Sequence, residues 1–418
     1  MTGRTWRLLH LGPGRTAVLT DRNFRCFFIG YMTSLLGTSM SSMAIAFAVL
    51  DGGGTATDLG FVFAAVIVPQ VLFMLGGGVL ADRLGRRPVM VTADATRCCA
   101  QAALAVALIA GHPAIWVFVL LATAVGSGDA LFTPALTGLT VEITPPGELG
   151  NANALLGTAR SAAGVAGPAL AGTLVAWIGP APVVASDAGT YAVSLLLLAV
   201  LRLRTPAPHH KAHPWHDLRE GWAEFRSHRW LVVTTVQFTL FNLLVWGPFL
   251  LLGPVMAVGY LGGAGAWGAV MACYGAGSVL GGLLAIGRRP YRPLVAATVA
   301  TFGYAIPGAL LAAHAPVQVV AAGATLAGLG SALTAAFSAT AVQQRIRPAA
   351  LARISAFEIV IAFAFGPVAF AAAGPAAAAA GPRLVLAFGA VWSVLGSAVV
   401  LAVPAVRAVT WLCLPQQE

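Results

Sequence analysis

The sequence predicts an all-α membrane protein with twelve transmembrane helices in two pseudo-symmetric six-helix bundles. Three observations predict it. Of 418 residues, 58% are hydrophobic and 9% charged, against about 25% charged in an ordinary soluble domain, and twelve spans of ~20 residues need ~240 residues, close to the apolar content available. Basic residues gather on alternate connections. The chain also repeats itself at a long, nearly constant offset.

Apolar runs place the first six spans at 25–49, 58–80, 88–110, 114–140, 153–178 and 182–203. The run after Arg4, Arg7, Arg15 and Arg22 is too long for a cleaved signal and is span one. The other six fall at 230–257, 263–287, 292–312, 316–342, 352–375 and 383–405. Residues 1–203 therefore form an N-terminal bundle, 204–229 a polar linker and 230–418 a C-terminal bundle. The connections leave no room for a sizeable soluble domain, so any chemistry takes place in the bilayer or at its faces.

Lys and Arg in short loops stay on the cytoplasmic side. All such residues except Arg97, Arg160 and Arg383 fall at the termini or on even-numbered connections, which share one side. Both termini and the linker are thus expected in the cytoplasm. The net charge of +10 serves orientation and contact with anionic membrane lipid rather than nucleic acid. Five cysteines, Cys26, Cys98, Cys99, Cys273 and Cys413, lie mostly in apolar runs and suggest neither disulfides nor a zinc site.

Gly85-Arg86-Arg87-Pro88 after span two recurs as Gly287-Arg288-Arg289-Pro290 after span eight. Ile143-Thr144-Pro145 matches Ile346-Arg347-Pro348, and Gly167-Pro168 matches Gly366-Pro367. Two related six-span halves are the architecture of a transporter whose path runs between them at mid-membrane.

Residues 78–88 read Gly78-Val-Leu80-Ala-Asp82-Arg83-Leu-Gly85-Arg86-Arg87-Pro88. The glycines permit a sharp turn, Asp82 suits a helix N-terminus, and the arginines suit carboxylates or lipid phosphates. The stretch resembles the G-x-L-a-D-r-x-G-r-r loop signature of the major facilitator superfamily. That resemblance implies the superfamily's fold and a cytoplasmic gate made of Gly78, Asp82, Arg83, Gly85, Arg86 and Arg87. A basic loop that only anchors topology is the alternative. The second copy carries Leu284 where Asp82 stands.

Span five contains Gly157, Gly164, Gly167-Pro168 and Gly172. Small residues allow close packing, and Pro168 removes a backbone donor. The stretch is similar to the superfamily's antiporter motif, which implies an exporter; plain helix packing is the other reading. Phe132-Thr133-Pro134-Ala135, Asn151-Ala152-Asn153-Ala154, Asp217-Leu218-Arg219-Glu220-Gly221-Trp222 and Arg353-Ile354-Ser355-Ala356 resemble the branch that includes enterobactin exporters and macrolide efflux proteins. In one departure, the superfamily's usual arginine in span four falls at Ala122, so coupling is sought among other buried charges.

Each such charge costs at least ~2.5 to 3.5 kcal/mol near a bilayer centre. Counting ~1.5 Å per residue from the cytoplasmic end of each span puts Asp94, Arg97, Arg160 and Glu358 in one layer. Asp129, counted across a ~30 Å core, joins them. Asp94 and Arg97 are three apart and can pair; Asp129 and Arg160 stand level on consecutive spans. Three acids facing two arginines leave one carboxylate over, either a proton carrier or part of a structural gate. Asp187, near the outer start of span six, is the other candidate, with an ordinary wet helix start as the alternative.

Gln70, Gln237, Asn242, Trp246 and Gln343 offer polar points along a substrate path, although isolated amides also join helices. Gly247-Pro248 and Pro254 break span seven. His209, His210, His213 and His216 lack a Cys or acid at ligand spacing, so no metal is expected. Trp215, Leu218, Trp222 and Phe225 beside Arg219 and Arg226 suggest an amphipathic helix on the inner membrane surface.

No Walker loop, H-E-x-x-H or nucleophile with a nearby base is present, so neither an enzyme nor a cofactor is expected. The leading reading is a monomeric, proton-coupled exporter of a small amphipathic molecule such as a drug, siderophore or secondary metabolite. A nutrient importer or facilitator, and a membrane sensor, are the alternatives. Arginine outnumbers lysine 23 to 1, which suggests a GC-rich bacterium and its plasma membrane.

Overall fold

A computed structural model describes residues 17–145, 147–201, 222–346, 354, 358, 361 and 365–411, with the side chains of 74–76, 78, 79 and 82 outside the described set. The N-terminal spans are α1 (Arg22–Asp51), α2 (Ala56–Leu84), α3 (Arg86–Ala110), α4 (Ile115–Ile143), α5 (Leu149–Ile178) and α6 (Pro180–Val200). Span seven runs through α7 (Arg229–Phe241), a π-helical turn (Asn242–Trp246), α8 (Gly247–Met256) and a second π-helical turn (Ala257–Leu261). Then come α9 (Ala264–Ala285), α10 (Pro293–Thr301), a 3-10 turn (Phe302–Tyr304), α11 (Ala305–Ala312), α12 (Val317–Arg345), α13 (Gly366–Ala380) and α14 (Pro382–Ala402). No strand occurs among the described residues.

Eleven of these spans are long and apolar enough to cross a membrane, and α13 is a shorter apolar helix. Only helices with all backbone groups paired internally, or closed barrels, can do so. Large apolar side chains stay exposed along their flanks, among them Ile109, Trp116, Leu196, Leu384 and Val399. A lipid-facing surface requires this. The chain is an all-α, multi-pass membrane protein.

The turns explain where the helices stop. Gly179 takes φ +80 between Ile178 and Pro180, so a left-handed residue ends α5 and a proline opens α6. Gly85, at φ +91, likewise separates α2 from α3, which opens at Arg86. The signature region is therefore a one-residue break between helices rather than a loop. This corrects one expectation: Asp82 lies in the last turn of α2, not at a helix N-terminus, because nothing before Gly85 stops the helix.

By contact, the chain divides into two compact units. Unit 1 is Met1–Ser42, Val68–Gly167 and Ala181–Pro208; unit 2 is Met43–Ile67, Pro168–Pro180 and His209–Glu418. The boundaries cut through α1, α2 and α5. In unit 1, Phe24, Phe27, Tyr31, Met90, Phe132 and Leu139 form a core, with the rings of Phe27, Tyr31 and Phe132 stacked in sequence. In unit 2, Phe225, Trp230, Leu231, Leu294 and Ile354 form another. Of the apolar stripe expected on the inner membrane surface, Phe225 is buried in this core and Trp222 is exposed. Trp215, Leu218 and the linker histidines lie outside the described residues.

Residue 85 gives a direct test. A Cβ there would meet nothing closer than Pro88 Cδ at 3.5 Å, so the strain of Gly85→Ala is purely conformational, about 1–2 kcal/mol. Thermal unfolding of the purified variant should show a lowered midpoint. An unchanged midpoint would mean that the turn tolerates a side chain.

Candidate functional site

On α3, Asp94, Arg97 and Gln101 recur at three and four residues and so share one helix face. All three are buried. Arg97 forms a hydrogen-bonded ion pair with Asp94 Oδ1, and Ser194 on α6 donates to Asp94 Oδ2 at 2.7 Å. The other guanidinium nitrogen donates to Asp129 Oδ1 on α4 at 2.8 Å. Asp129 Oδ2 in turn accepts from Gln70 Nε2 on α2 at 2.9 Å. Arg97 lies between two rings, its guanidinium carbon 4.3 Å from the Phe132 centroid and 4.5 Å from that of Tyr191. Both contacts add cation–π attraction in a dry setting.

Residue 128 makes this possible. A Cβ on Gly128 would stand 2.6 Å from Arg97 Cγ and 3.0 Å from the Ala93 carbonyl. Any side chain there would push α3 and α4 apart and break the Arg97–Asp129 pair. Arg97 Nε is buried without a hydrogen-bond partner.

A second polar cluster sits one turn further along α3. Gln101 Nε2 donates to Asp187 Oδ2 at 2.8 Å and lies 3.0 Å from Ser41 Oγ. Thr190 Oγ1 lies 3.3 Å from Asp187 Oδ1, and Tyr191 and Thr38 share a 2.7 Å hydrogen bond. Asp187 is 0% exposed. The wet-helix-start alternative for it is thereby removed.

The layer of five charges expected from depth counting is not one cluster. Asp94, Arg97 and Asp129 meet in unit 1. Arg160 instead donates to the Tyr31 hydroxyl at 3.0 Å, so the levelled pair Asp129–Arg160 does not form. Depth gives height but not azimuth, and α4 turns Asp129 toward α3. Glu358 is helical and partly buried, and belongs to unit 2.

In the signature region, Arg86 donates to the Gly138 carbonyl at 2.7 Å and lies 3.8 Å from Glu142. Arg87 donates to the carbonyls of Leu198, at 2.9 Å, and Ala199. Arg87 caps the C-terminal end of α6, and Arg86 sits against the last two turns of α4, where cations are favoured. Arg83 is exposed.

The span-five glycines split into two kinds. Gly157 and Gly164 have open space where a Cβ would stand. Gly167 abuts Ser39 of α1, with a Cβ only 2.3 Å from the serine Cβ, and Gly172 abuts Gly268 of α9, 2.4 Å from its Cα. Pro168 lies within α5 between these contacts.

Of the substrate-path candidates, Gln70 is held by Asp129. Gln237 donates to Ser397 at 3.2 Å, and Asn242, the first residue of a π-helical turn, donates to the Phe238 carbonyl at 3.0 Å. Trp246 ends that turn beside Phe249, Tyr274 and Tyr304, with ring centroids 5.7, 5.2 and 5.8 Å away. Tyr274 also donates to Ser331 at 3.0 Å. Gln343 is exposed. Sequence reasoning missed Gln101, Gly128, Tyr191 and Ser194; the four-residue spacings Arg97 to Gln101 and Asp187 to Tyr191 were the available signal. No group of three or more potential metal ligands occurs among the described residues.

Comparison with known proteins gives one family and several relatives. The family model for the Major Facilitator Superfamily matches residues 27–370. Macrolide efflux protein A of Streptococcus pyogenes is 23% identical over 62% of this chain and 65% of its own length, so the match spans less than two thirds of that relative. The multidrug efflux pump Tap of Mycobacterium tuberculosis (strain ATCC 25618 / H37Rv) is 27% identical over 81% of this chain and 83% of its own. Among solved structures, a mutant of the nucleoside transporter NupG superimposes with a TM-score of 0.72 at 13% identity, covering 91% of this chain and 99% of that one. The last likeness concerns the fold alone.

Arg97→Leu leaves Asp94 and Asp129 facing each other without a cation and should destabilise the protein by about 3–5 kcal/mol. Adding Asp94→Asn and Asp129→Asn should recover most of the loss. Thermal unfolding of the single and triple variants decides it, and a single variant as stable as the parent would show that the clamp is dispensable.

Proposed function

The chain belongs to the Major Facilitator Superfamily and is a transporter rather than an enzyme, and from that premise we propose that it exports a small amphipathic molecule in exchange for protons by alternating access. The Arg97 clamp carries the reading. One guanidinium holds two carboxylates, and the second of them holds the amide of α2. A proton on Asp129 weakens its pull on Arg97 and changes what Gln70 can bond, so a single protonation alters the ties among α2, α3 and α4 at once.

The efflux direction is supported by the names of the two relatives and by the span-five motif. Its drug, siderophore or secondary-metabolite cargo would meet the partly exposed rings around Trp246 and the Asn242 amide, beside a π-helical turn of the kind often found at functional sites. The proposed setting is the plasma membrane of a bacterium, in contact with its lipid. Both termini and the arginine-capped helix ends are assigned to the cytoplasm, and the working unit to the monomer. Each entering proton releases ~2.3 kcal/mol per 100 mV and ~1.4 kcal/mol per pH unit. Since ~1.4 kcal/mol corresponds to a tenfold ratio, either gradient suffices to concentrate cargo outside.

Inverted vesicles carrying a pH gradient test this. Macrolides and other amphipathic antibiotics should each be assayed for substrate-dependent collapse of the gradient in the parent, Asp129→Asn and Glu358→Gln proteins. The expected result is collapse in the parent and its loss in Asp129→Asn. Full exchange in both variants would move coupling elsewhere, and binding without proton movement would favour a sensor.

A further inference from the structure

Asp187 has no place in the clamp, yet it is the most enclosed carboxylate of unit 1 together with Asp94, both 0% exposed. Among the described residues it forms no ion pair; the three that occur join Arg86 to Glu142 and Arg97 to Asp94 and Asp129. The groups that face it are few. From α1 come Gly37, Ser41 and, one turn away, Thr38. From α3 come Gln101 and Cys98, whose thiol donates to the Ala188 carbonyl, with Arg97 and Asp94 further along the same face. Asp129 on α4 lies beyond Arg97, and Thr190 and Tyr191 follow Asp187 on α6. Asp187 is thus a fully buried carboxyl with neutral hydrogen-bond partners and no cation at ion-pair distance, a setting in which a bare negative charge is costly.

The packing limits which cation can enter. A Cβ on Gly37 would stand 2.2 Å from Thr190 Oγ1 and 2.6 Å from Asp187 Oδ1. The carboxyl is pressed against the α1 backbone, and a single methyl group already overfills the space. On that side no metal ion fits between the carboxyl and the backbone. A proton needs no volume, and the protonated carboxyl keeps a polar neighbour in the Ser41 hydroxyl, which shares the Gln101 amide with it.

Position supplies the consequence. α1 passes from unit 1 to unit 2 between Ser42 and Met43, one residue beyond Ser41. α2 makes its passage between Ile67 and Val68, two residues before Gln70. The Asp187 cluster therefore grips α1, and the Asp129 pair grips α2, each at the point of crossing.

We propose that Asp187 is a second proton-binding residue, separate from Asp129, which transmits its occupancy to the crossing point of α1 through Gln101 and Ser41. Proton exchange as such rests on the transport reading above; the binding site does not. Infrared difference spectra of the lipid-reconstituted protein between neutral and acidic pH read carboxyl protonation directly. They should contain a carboxylic-acid carbonyl band that disappears in Asp187→Asn, persists in Asp129→Asn, and shifts in Gln101→Leu, where the amide partner is gone. Gly37→Ala should shift or abolish the band by displacing the carboxyl, whereas Gly189→Ala, on Asp187's own helix α6 with open space around it, should not. If Asp187→Asn does not fold, the Gln101→Leu and Gly37→Ala spectra decide. Spectra identical to the parent in the folded variants would overturn the site. If the Asp187 band is found while vesicles show no proton exchange, the export reading fails and the site stands.

Discussion

The grip of Arg97 on Asp94 and Asp129 is the interaction on which the first unit depends. In lipid, a charge at this depth has no water to fall back on, and removing one partner of a buried pair costs more than the pair ever contributes. The cluster therefore fixes distances as well as charges. Asp94 ties Arg97 to α6 through Ser194, Asp129 ties it to α2 through Gln70, and the rings of Phe132 and Tyr191 close the remaining faces. The close approach that all this requires comes from the missing side chain of Gly128.

The internal repeat shows how the second half solves the same packing problem with other chemistry. At the offset of the repeated turns, Gly128 corresponds to Gly330, and a Cβ on Gly330 would stand 2.2 Å from the Ala300 carbonyl. The close helix contact is kept. The arginine is not: at the same offset Arg97 corresponds to Val299. Tyr274, Tyr304 and Ser331 bring hydroxyls together there, and Trp246 packs its ring against both tyrosines. The first half holds an ion-paired interior, and around Trp246 the second holds an aromatic one. That contrast fits a division in which protons are handled by the first set of helices and amphipathic cargo by the second.

How far the sequence reaches follows from which contacts run along a helix and which run between helices. Span positions were legible because apolar length is a property of a single segment, and the observed ends of α1 to α6 fall within a few residues of those expected. Asp94 and Arg97 could be paired because both lie on α3, three residues apart. Asp129 could not be assigned to Arg97, because equal depth says nothing about which way α4 is rotated. The nearest arginine in sequence order, Arg160, turned out to serve Tyr31. Asp187 raised the same difficulty: its place near a helix start suggested contact with solvent, and only the packing of neighbouring helices around it shows that the carboxyl is fully enclosed. In the signature region the glycine turn was legible but the continuation of α2 through Asp82 was not, although nothing between Asp82 and Gly85 opposes a helix.

The crossing points explain why these particular helices carry backbone defects. α5 leaves unit 1 at Gly167 and enters unit 2 at Pro168, where proline deletes the hydrogen bond to the carbonyl of Gly164. α2 crosses just before Pro69, which deletes the bond to Ala65. α1 has no proline at its crossing. It has instead a run of hydroxyl residues, and Ser42 Oγ donates back to the Thr38 carbonyl at 2.9 Å, a bond that competes with the helix ladder and tends to bend it. Each helix is weakened where it passes between compact units, and in α1 and α2 that place lies beside a carboxylate cluster. A change of charge at Asp129 or Asp187 would act on the softest part of the helix it holds.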